Sequence, residues 1–157
     1  MRTKQLKIIG LVFLLSCFFS GCSQTQDVQF ARSIMTLLAK GVYSVTKMID
    51  WPSLRMLERD IGGEYQRLLN DQEKEYYEKA FVEGFRLAFA DRGGSLKSFK
   101  DWHFYGSVEP DLSVVSANTP DKKFALLFVI KHENGSRKLV EIKLMQVTDP
   151  ELFFGKK

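Results

Sequence analysis

Apolar residues recur three and four positions apart in the first part of this chain. At that spacing Phe30, Ile34, Leu37 and Leu38 share one face of a helix, and Gly41 follows where a helix is expected to end. The pattern predicts a helix from about residue 30 to residue 40.

Helical spacing continues in the segment that follows. A short stretch covers residues 43–49, and a second one covers residues 50–69. Asp50 and Pro52 are typical of a helix start, because a carboxylate accepts bonds from free N–H groups and proline fits the first turn. We therefore expect residues 50–69 to be largely helical.

The strongest helical pattern runs from about Asp71 to Ala90. Asn70 precedes it and Glu73 lies three residues later, which is the spacing of a reciprocal N-terminal cap. Gly84 interrupts the helix at a cost of about 1 kcal/mol relative to alanine, so close packing is expected there. The predicted apolar face comprises Tyr77, Ala80, Phe81, Gly84, Phe85 and Ala88.

After residue 94 the apolar period changes from helical spacing to alternation. Strands are predicted over residues 102–108, 112–118, 123–132 and 138–148, and Asn134-Gly135 between the last two is a strong hairpin signal. Helices followed by antiparallel strands are typical of an α+β domain.

The order of these elements resembles the nuclear-transport-factor-2-like (cystatin-like) superfamily. The resemblance rests on "AKGVYSVTKMI", "EKEYYEKAFVEGFRLAF" and "KKFALLFVIKHENGSRKLVEIKLMQV", within residues 28–148. It implies N-terminal helices packed on a curved antiparallel sheet of about four strands. Many members have Gly-Asp-Tyr after the first helix, where this chain has Gly41-Val42-Tyr43. An unrelated helix-plus-sheet domain remains the alternative.

The first 21 residues have the three-part order of an export signal. Basic residues come first, an apolar run covers residues 8–19, and the small residues Ser20 and Gly21 follow. As a helix, that run reaches only about 18 Å, whereas a bilayer core is about 30 Å thick. The length therefore favours a signal peptide over a spanning helix.

The end of this signal, Phe19-Ser20-Gly21-Cys22, resembles the lipobox of bacterial lipoproteins, with Phe19 in place of the usual leucine. The resemblance implies cleavage between Gly21 and Cys22 and a lipid on Cys22. Residues 1–21 are then a cleaved signal peptide, residues 22–29 the lipidated cysteine and a tether, and residues 30–157 a single α+β domain. Two alternatives remain: Cys17 as the lipidated residue, or an uncleaved anchor with Cys22 as a buried thiol.

The resemblance also implies the location. The protein is expected in the cell envelope, held to the membrane through its lipid. Since Ser23 is not the aspartate of an inner-membrane retention signal, the outer membrane facing the periplasm is expected if the cell is diderm.

The charge distribution of the chain argues against nucleic acid as a partner. The chain carries a net charge of +4, but Arg2, Lys4 and Lys7 lie in the signal, and the remainder has 20 basic and 19 acidic residues. A nearly neutral body lacks the electrostatic footprint of nucleic-acid binding. Once the signal is removed Cys22 is the only cysteine, so no disulfide forms within the domain.

No motif of the chain specifies catalysis, a metal site or a cofactor. The only histidines, His103 and His132, have no neighbours at ligand spacing, and there is no nucleophile elbow, phosphate loop or dinucleotide fingerprint. Asp101, His103 and Tyr105 form a polar cluster of the type that transfers protons in ketosteroid isomerases. Strand alternation favours a structural role for them, on the solvent face.

An apolar pocket is the other candidate site. The helix face around Phe81 and Phe85 is first expected to be core, but it can also line a pocket opposite Phe124, Phe128 and Leu144. The sequence thus predicts a non-enzymatic, lipid-anchored protein that binds a protein partner or an apolar ligand. The alternatives are a ketosteroid-isomerase-like enzyme or a lipid carrier.

Overall fold

The computed structural model describes residues 23–119 and 121–147. The predicted signal peptide, the cleavage site at Gly21 and Cys22, and residues 148–157 lie outside the described residues.

The first helix, α1, covers residues 23–40 and includes the segment 23–29 that the sequence predicts as a tether. It ends as predicted at Gly41, which has a φ of 68°. There Val42 N donates to the carbonyl of Leu37 at 2.9 Å, and Gly41 N donates to that of Leu38 at 3.1 Å. This is the Schellman arrangement, in which a left-handed glycine lets the last carbonyls be satisfied. The face that α1 buries comprises Ala31, Ile34, Met35 and Leu38.

The predicted helix over residues 50–69 is only partly present. Trp51–Ser53 is a single 3₁₀ turn that follows the six-residue 3₁₀-helix Tyr43–Met48, and α2 is limited to Ile61–Gln66. Between them, β1 (Arg55–Met56) and β2 (Arg59–Asp60) form a small hairpin. The expectation was wrong here because β1 pairs in parallel with the edge of the sheet, and these backbone hydrogen bonds outweigh local helix propensity.

The long helix α3 is confirmed and spans Asp71–Asp91. Its predicted cap is present: Glu73 N donates to Asn70 Oδ1 at 2.9 Å, and Leu69 N donates to Glu73 Oε2 at 2.8 Å. The first bond satisfies a backbone donor that the first helical turn leaves free, and the second holds the N–H of Leu69, one residue before the cap.

The sheet has six strands in the order β2-β1-β6-β5-β4-β3. The four long antiparallel strands are those predicted: β3 (Lys100–Glu109), β4 (Leu112–Asn118), β5 (Phe124–Glu133) and β6 (Ser136–Gln146). Asn134 and Gly135 both have positive φ, as a two-residue hairpin turn requires. The α+β class is confirmed, with β1 and β2 as additional short strands. Among the named strands of the described residues only β1 and β6 pair in parallel, and an isolated parallel bridge joins Ile49 to Leu139.

The core lies between α1, the 3₁₀ turns and one face of the sheet. Phe128 of β5 is fully buried there and contacts Trp102 of β3, with 5.3 Å between ring centroids. By contrast, α3 buries only Val82 among its 21 residues. The apolar face of α3 therefore remains only half-buried, which is unusual for a helix of this length.

Candidate functional site

A cavity of about 880 Å³ lies between α3 and the layer formed by α1 and the sheet. The α3 wall comprises the predicted apolar face of that helix, including Ala80, Phe81, Phe85 and Ala88, together with Phe89. The facing wall comes from α1, β5 and β6 and includes Met35, Leu126, Ile142 and Leu144. This volume lies in the range of sites that enclose a small ligand.

Three aromatic rings stack along one side of the cavity. Phe85 and Phe89 are parallel with 6.1 Å between centroids, and Phe99 stacks on Phe89 at 6.4 Å. Gly94 allows this arrangement, because a side chain there would overlap the carbonyl and ring of Phe89. The stack gives the cavity a continuous apolar wall.

Gly84 lies on the cavity side of α3, and the expectation of close packing at this position was wrong. A Cβ built on it meets no atom within 4 Å. The missing side chain therefore enlarges the cavity instead of admitting a neighbouring element.

Part of the cavity wall consists of exposed apolar side chains. Leu57 is 46% exposed and Leu144 is 55% exposed, and both line the cavity. Leu57 and Glu58 form the β1–β2 turn with φ of 47° and 71°, a conformation that costs non-glycine residues about 1–2 kcal/mol each. A hydrogen bond from Leu57 N to the Ile142 carbonyl, at 2.9 Å, holds this turn against β6.

One end of the cavity is polar and internally paired. Tyr77 donates a hydrogen bond to Glu64 Oε2 at 2.7 Å, and Arg59 donates to Glu64 Oε1 at 3.0 Å. Both contacts lower the pKa of Glu64, and the hydrogen bond from Tyr77 has the larger effect. Burial and then the bond to Glu64 raise the pKa of Tyr77 to about 12. At neutral pH this end holds a carboxylate, a guanidinium and a neutral phenol.

A cluster of aromatic rings around Trp51 packs beside the polar end of the cavity. Trp51 stacks on Tyr65 at 5.5 Å and meets Phe81 edge-on at 5.3 Å. The Tyr65 hydroxyl donates to Glu78 Oε1 at 2.9 Å, and burial followed by this bond raises the pKa of Tyr65 to about 12. The cluster fixes Phe81 at the edge of the cavity.

The raised pKa values of Tyr65 and Tyr77 predict that these two tyrosines lose their protons only at high pH. Two of the five tyrosines are expected to ionise near pH 12, against about pH 10 for a phenol in the unfolded chain. Their contribution to stability is therefore complete below pH 10 and is lost as the pH rises from 10 to 12. Ultraviolet absorbance of tyrosinate measures the titration, and Tyr77→Phe and Tyr65→Phe should each remove one late step. A single transition near pH 10 would contradict the two hydrogen bonds.

The structure places three of the five predicted pocket residues in the cavity wall: Phe81, Phe85 and Leu144. The other two lie elsewhere. Phe128 is deeper, in the core against Trp102, and Phe124 is 37% exposed at the start of β5, outside the wall. Alternation puts all three sheet residues on one face, but the cavity covers only part of that face.

The structure places the polar cluster of β3 outside the cavity. His103 Nδ1 lies 2.7 Å from the backbone oxygen of Asp101, and Tyr105 is 47% exposed. Asp101 has a φ of 51° beside an irregularity in the β3–β4 register. None of the three lines the cavity, so they do not join an apolar site as a ketosteroid-isomerase-like arrangement requires.

A second polar network joins α1 to the sheet. Asp27 is 2% exposed and accepts bonds from Ser113 Oγ at 2.8 Å and from Arg137 Nε at 2.6 Å. His132 Nε2 lies 2.9 Å from Ser113 Oγ and 3.3 Å from Asp27 Oδ2. In a hydrolytic triad the acid instead holds the second ring nitrogen, and the serine is accessible. Ser113 is buried, so this network is structural.

Sequence reasoning missed the polar residues of the cavity. Arg59 and Glu64 fit a solvated helix face, Tyr77 fits the apolar face of α3, and Arg92 follows that helix without any motif. Glu64 and Tyr77 are thirteen residues apart on different helices, so no local spacing could indicate their contact.

Within residues 23–119 and 121–147, no group of three or more His, Cys, Asp or Glu side chains is placed to hold a metal ion. In the same part of the chain, no helix is both long and apolar enough to cross a membrane. No protein-family model and no curated protein sequence matches the chain.

Proposed function

We propose that this protein is a lipid-anchored envelope lipoprotein that binds an apolar ligand without catalysis. The observation that carries the proposal is the cavity of about 880 Å³ between α3 and the sheet. An apolar helix face that stays half-buried in the isolated chain gains stability when a ligand removes it from water, at about 25 cal/mol per Å².

The chemistry of the polar end supports binding over proton transfer. A general base works best with a pKa near the working pH, whereas the pKa of Glu64 is lowered. The pKa of Tyr77, about 12, keeps its hydroxyl protonated and bonded to Glu64. The ketosteroid-isomerase-like alternative is therefore less well supported than a binding role.

We further propose the curved sheet of the nuclear-transport-factor-2-like superfamily. Helices that precede the four long strands, and a cavity between the long helix and the sheet, support it. Register irregularities in the β3–β4 and β5–β6 pairs support it too, because bulges bend the strands that carry them.

The anchoring part of the proposal rests on the lipobox-like sequence. We propose cleavage after Gly21, a lipid on Cys22 and an outer-membrane position facing the periplasm if the cell is diderm. Two or three acyl chains hold a protein firmly, at about 0.8 kcal/mol per buried methylene. A freely diffusing lipid carrier needs no such anchor. The anchor therefore distinguishes the proposed lipoprotein from a carrier.

Substituting the lipidated cysteine should release the protein from the membrane. In cells fed an alkyne-bearing fatty acid, Cys22→Ser is expected to abolish labelling of the chain and to shift it from the membrane fraction. Cys17→Ser is the matched control and should leave both unchanged. Loss of labelling in Cys17→Ser alone would assign the lipid to Cys17, and loss in neither would contradict the anchor.

Photo-crosslinking tests the ligand-binding part. The purified full chain in phosphatidylcholine nanodiscs is irradiated with hexadecanol that carries a diazirine near the end of its chain. We expect adducts on the peptide with Phe81, Phe85 and Phe89. Adducts confined to other segments would contradict the cavity as the binding site.

A further inference from the structure

The two ends of the cavity differ in charge. At the end near the start of α3, Arg59 and Glu64 form an ion pair at 3.0 Å, and Tyr77 completes the set of bonds to Glu64. Because each charge there has a partner of opposite sign, this end has little attraction for another ion.

The other end carries an uncompensated positive charge. Arg92 lines the cavity directly after α3, fifteen positions beyond Tyr77, which corresponds to about 22 Å of helix. No carboxylate in the described part of the chain forms an ion pair with Arg92, although nine other ion pairs occur there. A guanidinium at an apolar cavity is suited to a carboxylate or a phosphate.

Apolar surface begins immediately beside this arginine. Phe89, three residues before Arg92, stacks on Phe99, seven residues after it. Both rings line the cavity, as does Gly94. From there the apolar face of α3 continues through Phe85 to Phe81. A positive charge at one end of a long apolar strip is complementary to a molecule with an acidic head and one hydrocarbon chain.

We propose that the ligand is a long-chain fatty acid, with its carboxylate on Arg92 and its chain along α3 towards Tyr77. The inference rests on the proposed function and adds the class and the orientation of the ligand. One arginine balances the single charge of a carboxylate through two parallel hydrogen bonds. A phosphate monoester carries about −1.5 to −2 charges at neutral pH and would leave excess negative charge at this end.

Matched photoprobes test the acidic head group. The full chain in phosphatidylcholine nanodiscs is irradiated with hexadecanoic acid, hexadecanol or a lysophosphatidate, each with a diazirine at the same chain position. For the wild type we expect a yield on the α3 peptide about tenfold higher with the acid than with the alcohol. Because the charge requires a partner, Arg92→Gln should bring the two yields within about twofold of each other.

Two further variants test whether the preference for the acid depends on the positive charge at residue 92 and not on a general effect of removing an arginine. Arg92→Lys keeps the positive charge and should retain a preference for the acid, weakened several-fold because ammonium cannot form the bidentate pair. Arg32→Gln, at an exposed position of α1 away from the cavity, should match the wild type.

The outcomes distinguish this inference from the proposed function. Equal yields of acid and alcohol in the wild type would overturn the fatty-acid assignment and leave apolar-ligand binding intact. A higher yield with lysophosphatidate than with the acid would also overturn it, in favour of a phosphate head group. Absence of α3 adducts with all three probes would contradict both proposals.

Discussion

Gly84→Phe is expected to abolish ligand binding while the domain stays folded. The Cβ of residue 84 points into open space, so a phenyl ring there occupies the cavity that the ligand needs. Displacing only two methylenes costs about 1.6 kcal/mol, which is more than a tenfold loss of affinity. The yield of diazirine-hexadecanol adducts on α3 measures the effect.

The same helix offers matched controls. Leu87→Phe adds a ring of equal size three residues later, at a position that is 53% exposed and outside the cavity wall, and should leave the yield unchanged. Gly84→Ala should still bind and should raise the free energy of unfolding by about 0.5–1 kcal/mol, because it removes a helical glycine. Wild-type labelling of Gly84→Phe would show that the ligand lies elsewhere.

The strands could be predicted because their signals are local. Alternation fixed the four long strands to within a few residues, and Asn134-Gly135 identified the hairpin between β5 and β6. The cap at Asn70 and Glu73 is likewise encoded within four residues. When the interacting residues are only a few positions apart, the sequence pattern is sufficient to predict the element that they form.

The β1–β2 hairpin could not be predicted because its reason is not local. Leu57 and Glu58 have positive φ, which sequence rules reserve for glycine or asparagine. The conformation is held by pairing with β6, more than eighty residues away. Since that pairing also brings Leu57 and Arg59 to the cavity, the sequence pattern could not identify these two lining residues.

The candidate site was predicted in its apolar half only. Phe81 and Phe85 were recognised by helical spacing, and Leu144 by strand alternation. Which residues of an apolar face meet solvent in a cavity depends on how far α3 stands from the sheet, and no pattern encodes that distance. The assignment of Phe128 to the pocket failed for this reason.

Asp27→Ala is expected to lower the free energy of unfolding by about 3 kcal/mol, because removing the buried carboxylate leaves the partly buried Arg137 guanidinium without its ion-pair partner and breaks the hydrogen bond from Ser113. Arg137, whose side chain is 20% exposed, loses its only carboxylate in the described residues. Ser113 loses its hydrogen bond to Asp27 and keeps only its contact with His132 Nε2 at 2.9 Å. Urea unfolding of the full chain, followed by the fluorescence of Trp51 and Trp102, gives the measurement.

Glu133→Ala is the matched control, since it removes an acidic residue of β5 whose side chain is 57% exposed. Its ion pair with Lys131, at 3.4 Å, is expected to contribute less than about 1 kcal/mol. Equal effects of the two substitutions would contradict the buried network. A large effect of Asp27→Ala alone would place the segment directly after Cys22 within the folded domain, because Asp27 lies five residues from the proposed lipid and contacts β4 and β6. The membrane anchor would then be joined to the domain through α1 with almost no flexible tether, which limits how far the cavity can stand from the bilayer.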